Sequence, residues 1–269
     1  MRSALAGLHG SVGLVPTMGF LHAGHMALVT ASTSASQSTV VSIFVNPSQF
    51  GPREDLSRYP RPFDADLALL APSGVDIVFA PEAAEMYPPG FATWVNIEGP
   101  PADRLEAERR PGHFRGVATI VAKLLLLVRP DTAFFGQKDA QQLAVIRRMV
   151  ADLGIPGQIV AVPTVREGDG LALSSRNVYL SVEERRAATV LSRAIATARA
   201  QYAAGERDPG VLLQRMQASF AAEPLATLDY ADLVEPSSFQ PAANVTDETL
   251  AVVACRIGAT RLIDNASLG

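Results

Sequence analysis

The sequence predicts an α/β protein: a mostly parallel, doubly wound sheet with helices on both faces, followed by a smaller C-terminal α+β domain. Three observations predict it. Five short Val/Ile/Phe-rich runs alternate with helical patterns over residues 1–165. The texture then changes to long Ala/Arg/Leu helices followed by three strand-like runs. The composition, 48% hydrophobic and 19% charged over 269 residues, suits one or two domains with substantial cores.

In order, residues 12–15 read as a buried strand stopped by Pro16, and 40–45 as a second stopped by Asn46-Pro47. Residues 76–80 form a third, closed by Pro81, and 132–135 and 158–162 a fourth and fifth. Helical patterns fall at 25–35, 64–70, 116–128 and 140–153, so βαβ crossovers are expected. The polar stretch 166–170 marks the domain boundary, giving domains 1–165 and 166–269. In the second, helices are expected at 182–203 and 209–221, then strands at 228–234, 250–256 and 260–264, with 244–248 an exposed turn.

Several function classes fall away. Lys plus Arg is 23 and Asp plus Glu 27, a charge of −4, which offers no broad basic face for nucleic acid. One cysteine, Cys255, permits neither a disulfide framework nor a thiolate zinc site within the chain. The longest apolar run, 117–128, is interrupted by Lys123 and closed by Arg129-Pro130, too short for a membrane span. MRSALAGLHG lacks the apolar stretch of a signal peptide, and a cytoplasmic protein is expected. The Walker, dinucleotide, zincin and nucleophile-elbow motifs are all missing.

The chemistry-bearing residues gather at strand ends. PTMGFLHAGH leaves the first strand and opens a helix. Gly19 and Gly24 allow close backbone approach, and His22 and His25 share a face one turn apart. Such a pair can stabilise a departing pyrophosphate; the alternative is one capping and one core histidine. NPSQF ends the second strand, with Gln49 suited to a hydroxy acid or serving as an ordinary turn amide. FFGQKDAQQ ends the fourth strand. Lys138 is one of only two lysines and suits a phosphate, Asp139 a ribose hydroxyl or magnesium, and Gln142 shares the face of Asp139. LSSRN, in the polar loop, is either a phosphate clamp or a solvated turn, and Arg110 in RPGHFR a weaker carboxylate partner. The inventory has no covalent nucleophile, and it fits attack by a substrate carboxylate on a nucleotide phosphorus.

VPTMGFLHAGH, VSIFVNPSQF, YPR, RPGHFRGV, FFGQKDAQQL and DGLALSSRNVYLS, in this order, resemble the pantothenate synthetase (pantoate–β-alanine ligase) family of the HIGH-type nucleotidyltransferase superfamily. The resemblance runs from about Val12 to Asn265. It implies a Rossmann-like ATP- and pantoate-binding domain over 1–165 and a lid over 166–269. The implied reaction forms pantoyl adenylate from ATP and (R)-pantoate, then transfers the acyl group to β-alanine with release of AMP. It assigns ATP contacts to Met18, Gly19, Phe20, Leu21, His22, Ala23, Gly24 and His25, with His25 in the proton-donor position. Gly136, Gln137, Lys138 and Asp139 form the second ATP segment, Val165 lies beside the adenine, and Leu173, Ser174, Ser175 and Arg176 form the phosphate loop. His22, His25, Lys138 and Arg176 are the catalytic group. Gln49 and Gln142 hold pantoate, Gln49 also borders β-alanine, and Tyr59 and Arg110 line the pocket. ATP is a substrate, magnesium is implied with Asp139 as its protein ligand, and relatives are homodimers. Gln137 stands where the family usually has Glu, and Ala107 where glycine is usual. The alternatives are a nucleotidyltransferase of the same superfamily with a different acceptor, and a nucleotide-sensing module without catalysis.

Overall fold

A computed structural model describes residues 2–52 and 54–269. The chain divides into two compact units, Met1–Gly136 with Val145–Pro163, and Gln137–Ala144 with Thr164–Gly269. In chain order the elements are α1 (Arg2–Leu5), β1 (Val12–Thr17), α2 (Ala23–Ala35), β2 (Ser38–Ile43), α3 (Phe63–Leu70), β3 (Ile77–Phe79), α4 (Ala83–Met86) and α5 (Glu106–Arg109). There follow α6 (His113–Val128), β4 (Thr132–Gly136), α7 (Ala140–Leu153), β5 (Gln158–Val162), α8 (Val182–Ala187), α9 (Val190–Ala203), α10 (Pro209–Ala221), β6 (Ala226–Val234), β7 (Leu250–Ile257) and β8 (Thr260–Ser267).

The first unit is a five-stranded parallel sheet in the order β3-β2-β1-β4-β5. Strand direction of progress reverses between β1 and β4, the switch point outside which ligands bind in open α/β sheets. Val15, Val41 and Phe134 are fully or almost fully buried against Leu28 and Val29 of α2 and Leu70 of α3, the two-sided burial expected of apolar strands. The expected stop at Pro16 does not occur, and β1 continues to Thr17 with Pro16 opposite Ser42. β4 partners β1 only at Gly13 and Leu14, so beyond that point a proline deprives no neighbour of a ladder bond on that side.

The second unit is an antiparallel sheet, β6-β7-β8, with an apolar face covered by α9 and α10. Leu191, Ile195, Leu212 and Met216 pack with Val253, Cys255 and Ile257. Asp208 caps α10, accepting from the N–H groups of Gly210 and Val211 ahead of Pro209's turn. The single helix expected over 182–203 is two. The Thr189 hydroxyl donates to the Arg186 carbonyl at 2.7 Å, taking an acceptor that a continuous helix needs. Cys255 is fully buried, and burial pushes its thiol up to about 12, so it is an inert core group. Among the described residues, no helix is long and apolar enough to cross a membrane.

Candidate active site

At the carboxyl end of β1 the Thr17 hydroxyl donates to the Ser42 carbonyl (2.8 Å) and accepts from Gly19 N–H (3.2 Å). Gly19 and Phe20 are successive left-handed residues, with φ of 78° and 51°. A Cβ on Gly19 would lie 2.9 Å from Asp66 Oδ2. For Phe20 this conformation costs about 1 kcal/mol, and Asp66 offsets it. That carboxylate, on α3 and only 2% exposed, accepts from Phe20 N–H (2.8 Å) and Leu21 N–H (2.7 Å).

The turn delivers the chain into α2 through a histidine capping box. His22 Nδ1 accepts from Gly24 N–H at 3.1 Å, and His25 Nδ1 accepts from His22 N–H at 3.3 Å. The two rings lie 4.1 Å apart between centroids, so the spacing argument holds and both are half-buried at the helix start. Neither is a core histidine. A backbone N–H can only donate, so each Nδ1 is an unprotonated acceptor and a neutral ring carries its proton on Nε2. Two imidazole N–H donors therefore stand beside the backbone donors of a helix N-terminus, a setting that favours anionic oxygen.

Gln49 lies past β2 in a short 3-10 turn, Pro47–Gln49. Buried Asn46 orients it: Asn46 Nδ2 donates to Gln49 Oε1 (3.0 Å) and to the Gly116 carbonyl (3.2 Å). Asn46 Oδ1 accepts from the Tyr87 hydroxyl (2.7 Å) and Ser48 hydroxyl (2.9 Å). With its oxygen so occupied, Gln49 presents Nε2 as a donor, 3.2 Å from Met18 Sδ. Gly116 lets α6 approach this turn; a Cβ there would sit 2.3 Å from the Ser48 carbonyl oxygen.

His113, at the start of α6 and 7% exposed, holds the backbone of the same turn. Arg110 donates to His113 Nε2 (3.0 Å), which leaves Nδ1–H to donate to the Gln49 carbonyl (2.9 Å). Arg110, expected from the resemblance to line the pocket, has its guanidinium on Glu54 bidentately, at 3.0 and 2.7 Å, as well as on His113. Tyr59 is buried, edge-on to Phe50. Burial, seconded by the Arg110 charge, lowers the His113 pKa from 6.5 to about 4. Between those values the unfolded chain takes up a proton that the folded chain refuses. The contribution of neutral His113 is thus complete above pH 6.5 and is lost as pH falls toward about 4, amounting to about 3 kcal/mol. Denaturant unfolding of wild type and His113→Gln across pH 4.5–7.5 should show the variant with a flatter acid limb. Parallel curves would refute a neutral buried ring.

Of the remaining predicted residues, Gly136 closes the first segment of the first unit and the others group with the second unit. Gly136 ends β4, and Gln137–Asp139 forms a 3-10 turn into α7, with Lys138 and Gln142 half-buried and Gln137 and Asp139 exposed. Val165 accepts from Leu173 N–H at 2.9 Å, closing the base of the loop. Ser174 caps the 3-10 helix Ser175–Tyr179 by accepting from Arg176 N–H at 3.3 Å, while Ser175 is buried. The solvated-turn reading thus accounts for Ser174 in part, and not for Ser175. Among the described residues, no three His, Cys, Asp or Glu groups gather as a metal cage. Sequence reasoning misses Asp66, Asn46, His113 and Asn265 as site residues. Only Asn46 and His113 carry a signal, as members of the motifs that contain Gln49 and Arg110.

The strand order and the histidine-capped helix at the end of the central strand define a doubly wound α/β protein that presents N–H donors at the sheet's switch point. Comparison narrows this class. The model of the pantoate–β-alanine ligase family matches residues 1–267, and the chain belongs to that family. Pantothenate synthetase from Roseiflexus castenholzii is 55% identical over 267 residues, spanning 99% of this chain and 96% of its own. The crystal structure of pantothenate synthetase from Thermus thermophilus superposes with a TM-score of 0.96 at 50% identity, covering 99% of this chain and 97% of that one. Pantoate–β-alanine ligase from Francisella tularensis, solved with β-γ ATP and β-alanine, gives a TM-score of 0.82 at 32% identity over 99% and 94% of the two chains.

Proposed function

We propose that this enzyme condenses (R)-pantoate with β-alanine at the expense of ATP, through pantoyl adenylate. The observation that carries the reading is the full-length likeness to the Francisella ligase solved with a nucleotide and β-alanine. In the first step a pantoate carboxylate oxygen bonds to the α-phosphorus and the bond to pyrophosphate breaks. In the second the β-alanine amine bonds to the acyl carbon, loses a proton, and AMP departs.

The roles follow from the donors at each strand end. Nε2–H of His25 and of His22 would meet phosphate oxygens as charge grows on the leaving pyrophosphate. Lys138, Ser174, Ser175 and Arg176 would offset phosphate charge, and Val165 and Leu173 would take the adenine. The Gln49 amide N–H, whose carbonyl oxygen is held by Asn46, would bind a pantoate oxygen, and Gln142 is the second glutamine for pantoate. Asp139, an exposed carboxylate that among the described residues joins no group of three metal-ligating side chains, fits magnesium only as it arrives on nucleotide phosphates. When bound, that ion supplies further neutralisation of phosphate charge. A cytoplasmic homodimer completes the reading.

Pyrophosphate and AMP release, with ATP, pantoate and β-alanine each omitted in turn, tests it. Pyrophosphate should require ATP and pantoate alone, and AMP should require all three. Pantoate-independent turnover would point to a nucleotidyltransferase with another acceptor, and nucleotide binding without pyrophosphate release to a sensing module.

His25→Ala should separate cap from chemistry. The rate of adenylate formation should fall roughly 100-fold. The cap bond is long, so stability should fall by only about 1 kcal/mol. A large drop in melting temperature with unchanged rate would reverse the assignment.

A further inference from the structure

Lys138 and the Leu173–Arg176 loop are both tied to one strand of the second unit, β8, by two consecutive buried side chains. Asn265 Nδ2 donates to the carbonyl of Gln137 (3.0 Å) and to that of Lys138 (2.8 Å). Asp264 receives the Arg166 guanidinium end-on, at 2.6 and 2.9 Å. Arg166 also donates to the Gly170 carbonyl (3.0 Å) and pairs with Ala172 in an isolated bridge, which closes the base of the loop carrying Ser174–Arg176. Both side chains are less than a tenth exposed.

Two N–H bonds from one planar carboxamide to successive carbonyls fix the rotation of the Gln137–Asp139 turn, and with it the direction in which Lys138 leaves the backbone. An oriented ammonium matters most when negative charge moves, because displacement of a stabilising group by about 1 Å can cost on the order of 100-fold in rate. The bonded groups are carbonyls at a helix start, which keep their helical acceptor role without Asn265, so the bonds set direction more than they hold the fold.

We propose that Asn265 is a positioning residue for adenylate formation, acting through Lys138; this rests on the ligase reading given above. Asn265→Ala should lower kcat for pyrophosphate release about tenfold or more, with KM for pantoate within about twofold of wild type. The discriminating measurement is the double-mutant cycle with Lys138→Ala. If Asn265 acts through the lysine, Asn265→Ala should cost less than about twofold once Lys138 is already gone. Asn265→Ser, whose hydroxyl stops a bond short of both carbonyls, should lose rate as Asn265→Ala does while staying folded.

Equal losses in the two backgrounds, or no loss in the wild-type background, would overturn the proposal. So would loss of the folded state, read by thermal melting, in both Asn265→Ala and Asn265→Ser, because the residue would then be structural. Wild type that releases no pyrophosphate from ATP and pantoate fails the ligase reading itself. Wild-type turnover with an unaffected Asn265→Ala fails this inference alone.

Discussion

Lys138→Ala is expected to abolish most adenylate formation, lowering pyrophosphate release from ATP and pantoate by about 100- to 1,000-fold. Its side chain is half-buried at the turn after β4 and belongs to no apolar cluster, so unfolding free energy should stay within about 0.5 kcal/mol of wild type. The ammonium is a point charge, and arginine is no simple substitute: Lys138→Arg brings a wider planar fork to a turn whose carbonyls are already held by Asn265. Single-turnover pyrophosphate release measures the effect. Near wild-type rates in Lys138→Ala would remove this residue from the phosphate machinery.

Asp66→Ala should be the second severe lesion, although the residue stands outside every motif noted in the sequence. Its carboxylate holds two N–H groups of the turn that precedes the histidines. Removing it strands two inward-facing donors, at about 1–3 kcal/mol each, and frees Phe20 to leave its left-handed conformation. The turn should relax and the imidazole pair lose its place, lowering kcat by about 100-fold along with melting temperature. Asp66→Asn keeps one oxygen acceptor and should recover part of both. Full activity in Asp66→Ala would mean that the turn sets itself without help from α3.

These two cases mark what was legible in the sequence. Lys138 announces itself by rarity and by its place after an apolar strand. His22 and His25 do so by a spacing that one helical turn makes meaningful. Asp66 bonds to residues 45 and 46 positions earlier, and Asn265 to residues 127 and 128 positions earlier. No periodicity joins such pairs, since the fold alone brings them together. The same holds for secondary structure. α7, α10 and β5 were readable to the residue because their periodicity and flanking signals are local. β1 ran past Pro16 because strand pairing on one side had already ended, and 182–203 broke because a threonine hydroxyl competed for a carbonyl. The bland reading of Arg110, a charged loop in solvent, also failed, since Glu54 and His113 engage it.

The histidine-capped start of α2 has a consequence for the second half-reaction. A neutral ring whose one lone pair is already occupied by its own main chain can lend a hydrogen bond through Nε2–H, yet offers no second nitrogen lone pair to an incoming proton. Both imidazoles are therefore one-way valves: they suit a departing oxyanion and are ill-suited to strip the incoming ammonium. If neither ring takes the proton of β-alanine, the amide-forming step should quicken with alkalinity along the amine's own titration, and His25→Ala should leave that pH profile unchanged.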